Sequence, residues 1–413
     1  MKKRFLSFLI MTVTLANISL VNISSVQAAT TDNAIKTSTD GTIKVSLENI
    51  RDIMIENNLD IKIQHNALKI ANEEYHDAKD AYDTESAVYE GIDDSKKENI
   101  ESIYNAAKTA YDNRADDTQK ESLKASYDAA KTIYDAKTAY ENTDKTLTTK
   151  RESNKTASTT YDQKVETKVN AAQNDFINYL TTLSNVKLQE DTVKANEKKE
   201  QKYKLQYEHG FLSKNQYTSN LAKDTSANSL NELKDKEELA RIKLCNTLGI
   251  SIGEKVIFNT DIAEDFKVIS NINYNDDLAK MLENNIEIKD KNEAIDDLED
   301  TKDDVANDDI YDNSVEKANN ELKVLINTAE TDFKGQYNTL MSSYNSIKSS
   351  YDQLVEEENS YNVKKVKYDY GFVSKTELDD AKLALDTDES ALQTKKNTLY
   401  VNYLNYLQMK EGY

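Results

Sequence analysis

The sequence predicts an all-α chain: elongated antiparallel coiled-coil helical hairpins made by an internal duplication, with a small β girdle near 250–270. Three observations carry this prediction. The 413 residues contain no Pro, no Trp and only eight Gly, with 31% charged, so the strongest helix breakers are nearly absent. Large apolar residues recur at spacings of three and four over long stretches, the pattern of a coiled-coil seam. One turn, together with the helices on either side of it, occurs twice.

That turn reads Tyr-Glu-His-Gly-Phe-Leu-Ser-Lys-Asn-Gln-Tyr at 207–217 and Tyr-Asp-Tyr-Gly-Phe-Val-Ser-Lys-Thr-Glu-Leu at 368–378. Gly210 and Gly371 end a helix, since only Gly takes the left-handed C′ conformation without a steric penalty. Ser213 and Ser374 cap the next one, with Gln216 and Glu377 completing capping boxes. Leu212 with Tyr217, and Val373 with Leu378, stand at the staple positions. At the same offset of 161 residues, Phe176 matches Tyr337, Tyr179 matches Leu340, Leu183 matches Tyr344 and Val186 matches Ile347; Glu190 against Tyr351 is a mismatch. A second repeat lies upstream, where Glu56-Asn57-Asn58-Leu59-Asp60-Ile61-Lys62 answers Glu283-Asn284-Asn285-Ile286-Glu287-Ile288-Lys289.

In chain order, Met1-Lys2-Lys3-Arg4, an apolar run to Val26 and a small-residue site at Ala28 give residues 1–28 as a secretory signal peptide. Asn17, Asn22 and several Ser weigh against a retained anchor, and no later run is long and apolar enough for a transmembrane helix. Residues 29–44 form an N-terminal segment. The first repeat spans 45–253. A heptad series from Leu47 through Met54, Ile61, Leu68, Tyr75 and Tyr82 to Tyr89 predicts one helix, stopped at Gly91-Ile92-Asp93-Asp94. A helical hairpin insertion at about 91–160 follows. Its two short helices are opened by capping boxes of Ser95 with Glu98 and Thr118 with Glu121. Tyr104–Asp112 nearly repeats as 127–135, and Thr143–Thr160 reads as a polar linker or frayed helix. A long helix is expected from about Tyr161 to His209, on the order of 70 Å, and a return helix from about Lys214 to Leu248. In the connecting segment, 254–274, Val256-Ile257-Phe258 and Phe266-Lys267-Val268-Ile269 read as short strands that pair with Thr42-Ile43-Lys44-Val45. The second repeat, 275–413, has a helix from Asp276 to about Val305, an acidic turn over Asn307–Asp312, a long helix to Gly371 and a last helix over about 375–410.

An opening of apolar-x-apolar-Glu with Glu-Asn-Asn, a helix ending in Tyr-x-x-Gly-Phe-x-Ser and a helix closing on Leu-Gly, twice over, resembles the TolC-like outer membrane efflux protein family. The pieces here are Val45-Ser46-Leu47-Glu48 with Glu56-Asn57-Asn58, then Gly210, then Leu248-Gly249; the second copy has Glu283-Asn284-Asn285, Gly371 and the C-terminal helix. The resemblance implies a homotrimer forming an α-helical duct in an export assembly. It also implies an adaptor and an inner-membrane exporter docking on tips made by Gly210, Phe211, Leu212, Ser213, Gly371, Phe372, Val373 and Ser374. Glu377 and Asp380 lie where the family places carboxylates inside the entrance; the first repeat offers Gln216 and Ser219 instead. From Asn58 to Gly210 is 152 positions and from Asn285 to Gly371 is 86, so the first repeat carries 66 more (152 − 86). They fall where the family sends strands into an outer membrane barrel. Neither 80–160 nor 300–315 has the alternation and aromatic girdles of such strands.

The residues offer no catalytic group, cofactor site or metal site. His65, His76 and His209 lack partners at triad or ligand spacing. Cys245 shares a helix face with Ile242 and Leu248 and reads as a small core residue. The run Asp296-Asp297-Leu298-Glu299-Asp300 with Asp303 and Asp304 lacks the Gly and spacing of a calcium loop and reads as a solvated face. The tyrosine heptads read as wide seams rather than a binding platform. Formal charge is −21, or −24 once Lys2, Lys3 and Arg4 are removed, which argues against nucleic acid or anionic lipid as a partner. Two functions remain from different classes: an exported, cell-envelope duct component, or a structural or adhesive coiled-coil envelope protein without transport. A helical pore-forming toxin is a distant third, for want of an apolar segment to insert. An enzyme is least supported.

Overall fold

A computed structural model describes residues 42–113, 120–221, 225–260, 266–300, 302 and 308–413. The expected signal peptide, the Thr118 cap, and the acidic residues Asp303 and Asp304 lie outside the described residues. The first repeat contains β1 (Ile43–Val45), α1 (Ile50–Asn57), α2 (Leu59–Glu90), α3 (Asp94–Lys97), α4 (Ile100–Asp112), α5 (Lys120–Glu208), α6 (Lys214–Leu221) and α7 (Ser226–Leu248). Then come β2 (Val256–Phe258), α8 (Lys267–Ser270), α9 (Tyr274–Asn284), α10 (Ile286–Asp300), α11 (Asp308–Asp369) and α12 (Lys375–Lys410). Among the described residues the fold is thus all-α apart from a two-stranded parallel girdle, in which Ile43 pairs with Val256 and Val45 with Phe258.

Two apolar cores sit at girdle level. The first gathers Val45, Ile50, Ile53 and Met54 with Val169, Ala172, Phe176 and Ile177 of α5 and Leu244 and Leu248 of α7. The second gathers Ile269, Met281, Phe333, Leu340, Leu399 and Tyr406. Tyr400, Val401 and Leu404 of α12 also pack on the first core, which joins the repeats. Lower down, the α5–α12 contact turns polar: Asn397 donates to Thr181 Oγ1 at 2.8 Å, and the hydroxyls of Ser184 and Ser390 lie 3.3 Å apart.

The motif Glu-Asn-Asn proves to be a joint. Asn58 leaves the helical conformation and its Oδ1 accepts from Ile61 N at 3.1 Å, so it ends α1 and caps α2. Asn285 does the same for α10 through Ile288 N at 2.9 Å. The single helix expected from Leu47 is therefore two, and so is the one expected from Asp276. Each joint is clasped by a left-handed glycine. A Cβ on Gly249 would strike the Asn57 carbonyl, and one on Gly412 that of Asn284.

Above the girdle the two repeats part. α5 does not start near Tyr161; it runs unbroken from Lys120 for 89 residues. The expected linker over 143–160 is helix because its hydroxyls fold back on the helix instead of competing with it. Thr146 donates to the Asn142 carbonyl at 2.8 Å, Ser153 to Thr149 at 2.9 Å and Thr160 to Thr156 at 2.7 Å. Lys150 also pairs with Glu74 of α2 at 2.7 Å. The Ser95–Glu98 box is not formed: Asp93 caps instead, accepting from Ser95 N at 3.0 Å, and the next full helix, α4, waits until Ile100. The Lys120–Glu166 arm reaches about 70 Å above the girdle at 1.5 Å per residue. The matching part of α11, from Asp308, reaches only about 30 Å; α11 starts inside the expected acidic turn. The segment Phe266–Ile269 is helical rather than a strand, since Phe266, Ile269 and Ile272 recur at three and all face the second core. The return helix of the first repeat is interrupted, with Thr225 non-helical at the start of α7.

Candidate functional site

Both sequence-predicted tips form, and at the same end of the molecule. At the first, Gly210 takes φ 77°, and the amides of Phe211 and Leu212 both donate to the Gln206 carbonyl at 2.7 and 3.2 Å. At the second, Gly371 takes φ 75° and Phe372 N donates to the Lys367 carbonyl at 2.8 Å. Both capping boxes are made. Ser213 N donates to Gln216 Oε1 at 3.0 Å and Gln216 N to Ser213 Oγ at 3.3 Å. Ser374 N donates to Glu377 Oε2 at 2.7 Å and Glu377 N to Ser374 Oγ at 3.2 Å. The backbone and hydroxyl of Ser374 hold the Glu377 carboxyl below its ordinary range.

The reversal divides its apolar residues. Leu212, Tyr217 and Val373 are half-buried and Leu378 buried, as staples require. Phe211 and Phe372 point outward, 80% and 79% exposed, and Tyr370 is 75% exposed. A staple has no use for these three rings. The tips stand side by side: Lys202 of α5 donates to Thr376 of α12 at 3.2 Å, and Lys199 pairs with Asp380 at 2.8 Å. Both expected entrance carboxylates therefore have partners already, Glu377 in its cap and Asp380 across the repeat interface. Tyr370 escaped the sequence reading, because nothing in its heptad position distinguishes it from a seam tyrosine.

Other candidates settle as scaffold. Cys245 is buried and burial pushes its thiol up, away from thiolate chemistry. His65 lies against the Tyr161 ring, 5.4 Å between centroids, and His76 beside Tyr75. Asp296, Asp297 and Glu299 are exposed on α10. The tyrosines of the long arm stack across its seam: Tyr89 on Tyr140 at 4.7 Å, Tyr104 on Tyr134 at 4.4 Å and Tyr111 on Tyr127 at 5.4 Å. The repeat of 104–112 at 127–135 belongs to a wider signal in the sequence: Ala-Lys-x-x-Tyr followed by Asp or Glu occurs at 78–83, 107–112, 130–135 and 136–141. Among the described residues no helix is long and apolar enough to cross a membrane.

No protein-family model matches the sequence, and no curated protein does. The fold, in contrast, is shared with solved structures. CusC, described with its folding and transmembrane channel formation, aligns over 89% of this chain and 95% of its own at 12% identity, TM-score 0.51. The Campylobacter jejuni CmeC outer membrane channel aligns over 89% of this chain and 85% of its own, also at 12% identity, TM-score 0.52. The fold of this chain is that of the TolC-like outer membrane channels, with two short parallel strands as the described sheet and a helical arm rising from its first repeat.

Proposed function

We propose that this protein is an exported cell-envelope component of an efflux or secretion assembly, a homotrimer whose lower helices close an α-helical duct. The observation that carries the reading is a face left uncovered by the duplication. Thr181, Ser184 and Lys202 of α5 lie against α12 of the other repeat. Their counterparts on α11, 161 positions on, are Ser342, Asn345 and Val363, and all three are exposed. Quasi-equivalence gives that face a partner of the α7 type from another copy, which makes a head-to-tail contact that closes into a ring. Two hairpins per copy are too few to enclose a tunnel alone. The fold shared with outer membrane channels supports the same use.

In this assembly the tips, Gly210–Ser213 and Gly371–Ser374, face the exporter and its adaptor, with Glu377 and Asp380 at the entrance. The arms do not perforate a membrane, since hydrocarbon demands that every backbone group be paired in a long apolar helix or a closed barrel. Asp93, Asp94, Lys96, Lys97 and Glu98 stand on the arm instead. An envelope without an outer membrane is the setting that fits. The test pairs Ser342→Cys with Asp235→Cys, the α7 position that matches Asn397 within a residue. Cys245 is buried and does not interfere. Oxidation should give covalent rings of closed size; chains that link only within themselves, or not at all, contradict the duct. In planar bilayers the mature protein should give no stable conductance. Discrete conductances that vanish on deletion of 91–145 would show that the arm forms a pore. A structural or adhesive coiled coil without transport fits the bare arm, and it is the reading left if rings do not form.

A further inference from the structure

We propose that the two tips seat on an anionic membrane surface, with Phe211, Tyr370 and Phe372 entering the headgroup boundary and lysines behind them meeting lipid phosphates. The inference rests on the reading of this end as the docking end and names what its apex touches. Net charge speaks against such a partner, but the charge is unevenly spread. Residues 198–219 and their counterparts 359–380 together hold nine Lys against six carboxylates, a local +3 on a chain of −21. Screening limits the reach of the distant acidic arms to about 10 Å at 0.1 M salt, so the surface meets the tip's own charge.

Three observations place the parts. The three rings are the outermost side chains of the reversals, each at least 75% exposed. Lys204, Lys214, Lys365 and Lys367 are exposed a few residues behind, and none takes part in an ion pair among the described residues. Lys198, Lys199 and Lys375, by contrast, are already paired with Asp379 or Asp380. An apolar aromatic apex over a free basic collar is the arrangement by which peripheral proteins hold anionic lipid. The contact of Lys202 with Thr376 sets the start of α12 level with about Tyr203, so α5 overshoots and the first tip leads by roughly 7 Å at 1.5 Å per residue. Phe211 is therefore the first ring to arrive.

The chain has no Trp, so a single substitution gives an unambiguous probe. Phe211→Trp, Phe372→Trp and, on the arm, Val88→Trp are each made in the mature full-length protein. Emission is followed on adding vesicles of phosphatidylcholine alone or with an equal part of phosphatidylglycerol. The expected result is a blue shift for the probe at 211 and a smaller one for that at 372, only with the anionic vesicles, and none for that at 88. Binding in flotation should fall at least tenfold with Phe211→Ser, and at least tenfold with Lys204→Glu, Lys214→Glu, Lys365→Glu and Lys367→Glu combined. It should also fall with added salt. Circular dichroism and light scattering on the same samples show whether each variant keeps its helices and its assembly. Unshifted emission from the Phe211→Trp variant on anionic vesicles overturns the inference while leaving the duct intact, as does a shift from the Val88→Trp variant of equal size. A tip probe that answers only to an envelope protein overturns it too, and makes the apex a protein-docking surface.

Discussion

Below the girdle the descending helices and tips of the two repeats keep one register; above it they share almost nothing. From Phe176 to Gly210 and from Tyr337 to Gly371 the same offset holds through two seams, two reversals and two capping boxes. From Asn58 to α5 the first repeat climbs about 70 Å, with α2 and then α4 laid along α5, where the second climbs about 30 Å. The lower half is constrained through α5 and α12, each of which packs on two neighbours: α5 touches its own return helix and α12 of the other repeat, and α12 touches α11 and α5. The arm answers mainly to itself, its tie to the second repeat being the pair of Lys155 with Glu293 of α10. Its seam is made of stacked tyrosines and i,i+4 pairs such as Lys131–Asp135 and Lys79–Asp83, features that a local duplication supplies whole. The arm, with one main seam, is free to lengthen, and the α5–α12 contact holds the lower hairpins to register.

The comparison is broken most severely at the girdle. Phe176→Ala and Phe333→Ala, each removing a fully buried phenylalanine from one of the two cores, should each cost about 3–5 kcal/mol in denaturant unfolding. Unequal losses would show that the cores are not equivalent. The glycines come next. Gly249→Ala and Gly412→Ala force a Cβ into a carbonyl at a left-handed backbone and should cost at least ~2 kcal/mol each. At the tips, Gly210→Ala and Gly371→Ala share that backbone but have nothing within 4 Å of the added atom, so about 1 kcal/mol is expected. Thermal melts of the four variants check the ordering.

A milder test separates arm from girdle. Tyr140→Ala removes the ring that stacks on Tyr89 and lies 5.6 Å from Tyr82, costing about 1 kcal/mol beyond lost packing. Hydrogen exchange should quicken around 82–89 and 134–146 while the girdle amides keep their protection. The smallest effect distinguishes the tips. Glu377 has a lowered carboxyl pKa, so the stability it gives the second cap is full above the ordinary Glu range and lost as pH falls through the lowered value. Gln216 in the first cap has no such dependence. Amide exchange on acidification should therefore quicken at Phe372–Leu378 and not at Phe211–Tyr217. Glu377→Gln should make the two tips behave alike.

Much of this was legible. Gly210, Gly371 and their caps follow from local rules that act within six residues, and β1 and β2 from a short loss of helical period. The Asn joints were visible as a repeat but not as helix breaks, since Asn58 sits inside an unbroken heptad series. Only the approach of Gly249 and Gly412, distant in sequence, makes a break there stable. The run 143–160 misled because Thr and Ser lower helix propensity when free, and here their hydroxyls are spent on carbonyls one turn back. The exposed ring of Tyr370 and the uncovered face of α11 depend on what packs where, which no local rule encodes.

The account stands or falls on whether the uncovered α11 face is filled by another copy. Light scattering of the purified mature protein, over a range of concentrations and with and without anionic vesicles, measures this directly. The account predicts a single species of three chains that persists on dilution. A monomer at every concentration, with and without membranes, would contradict it.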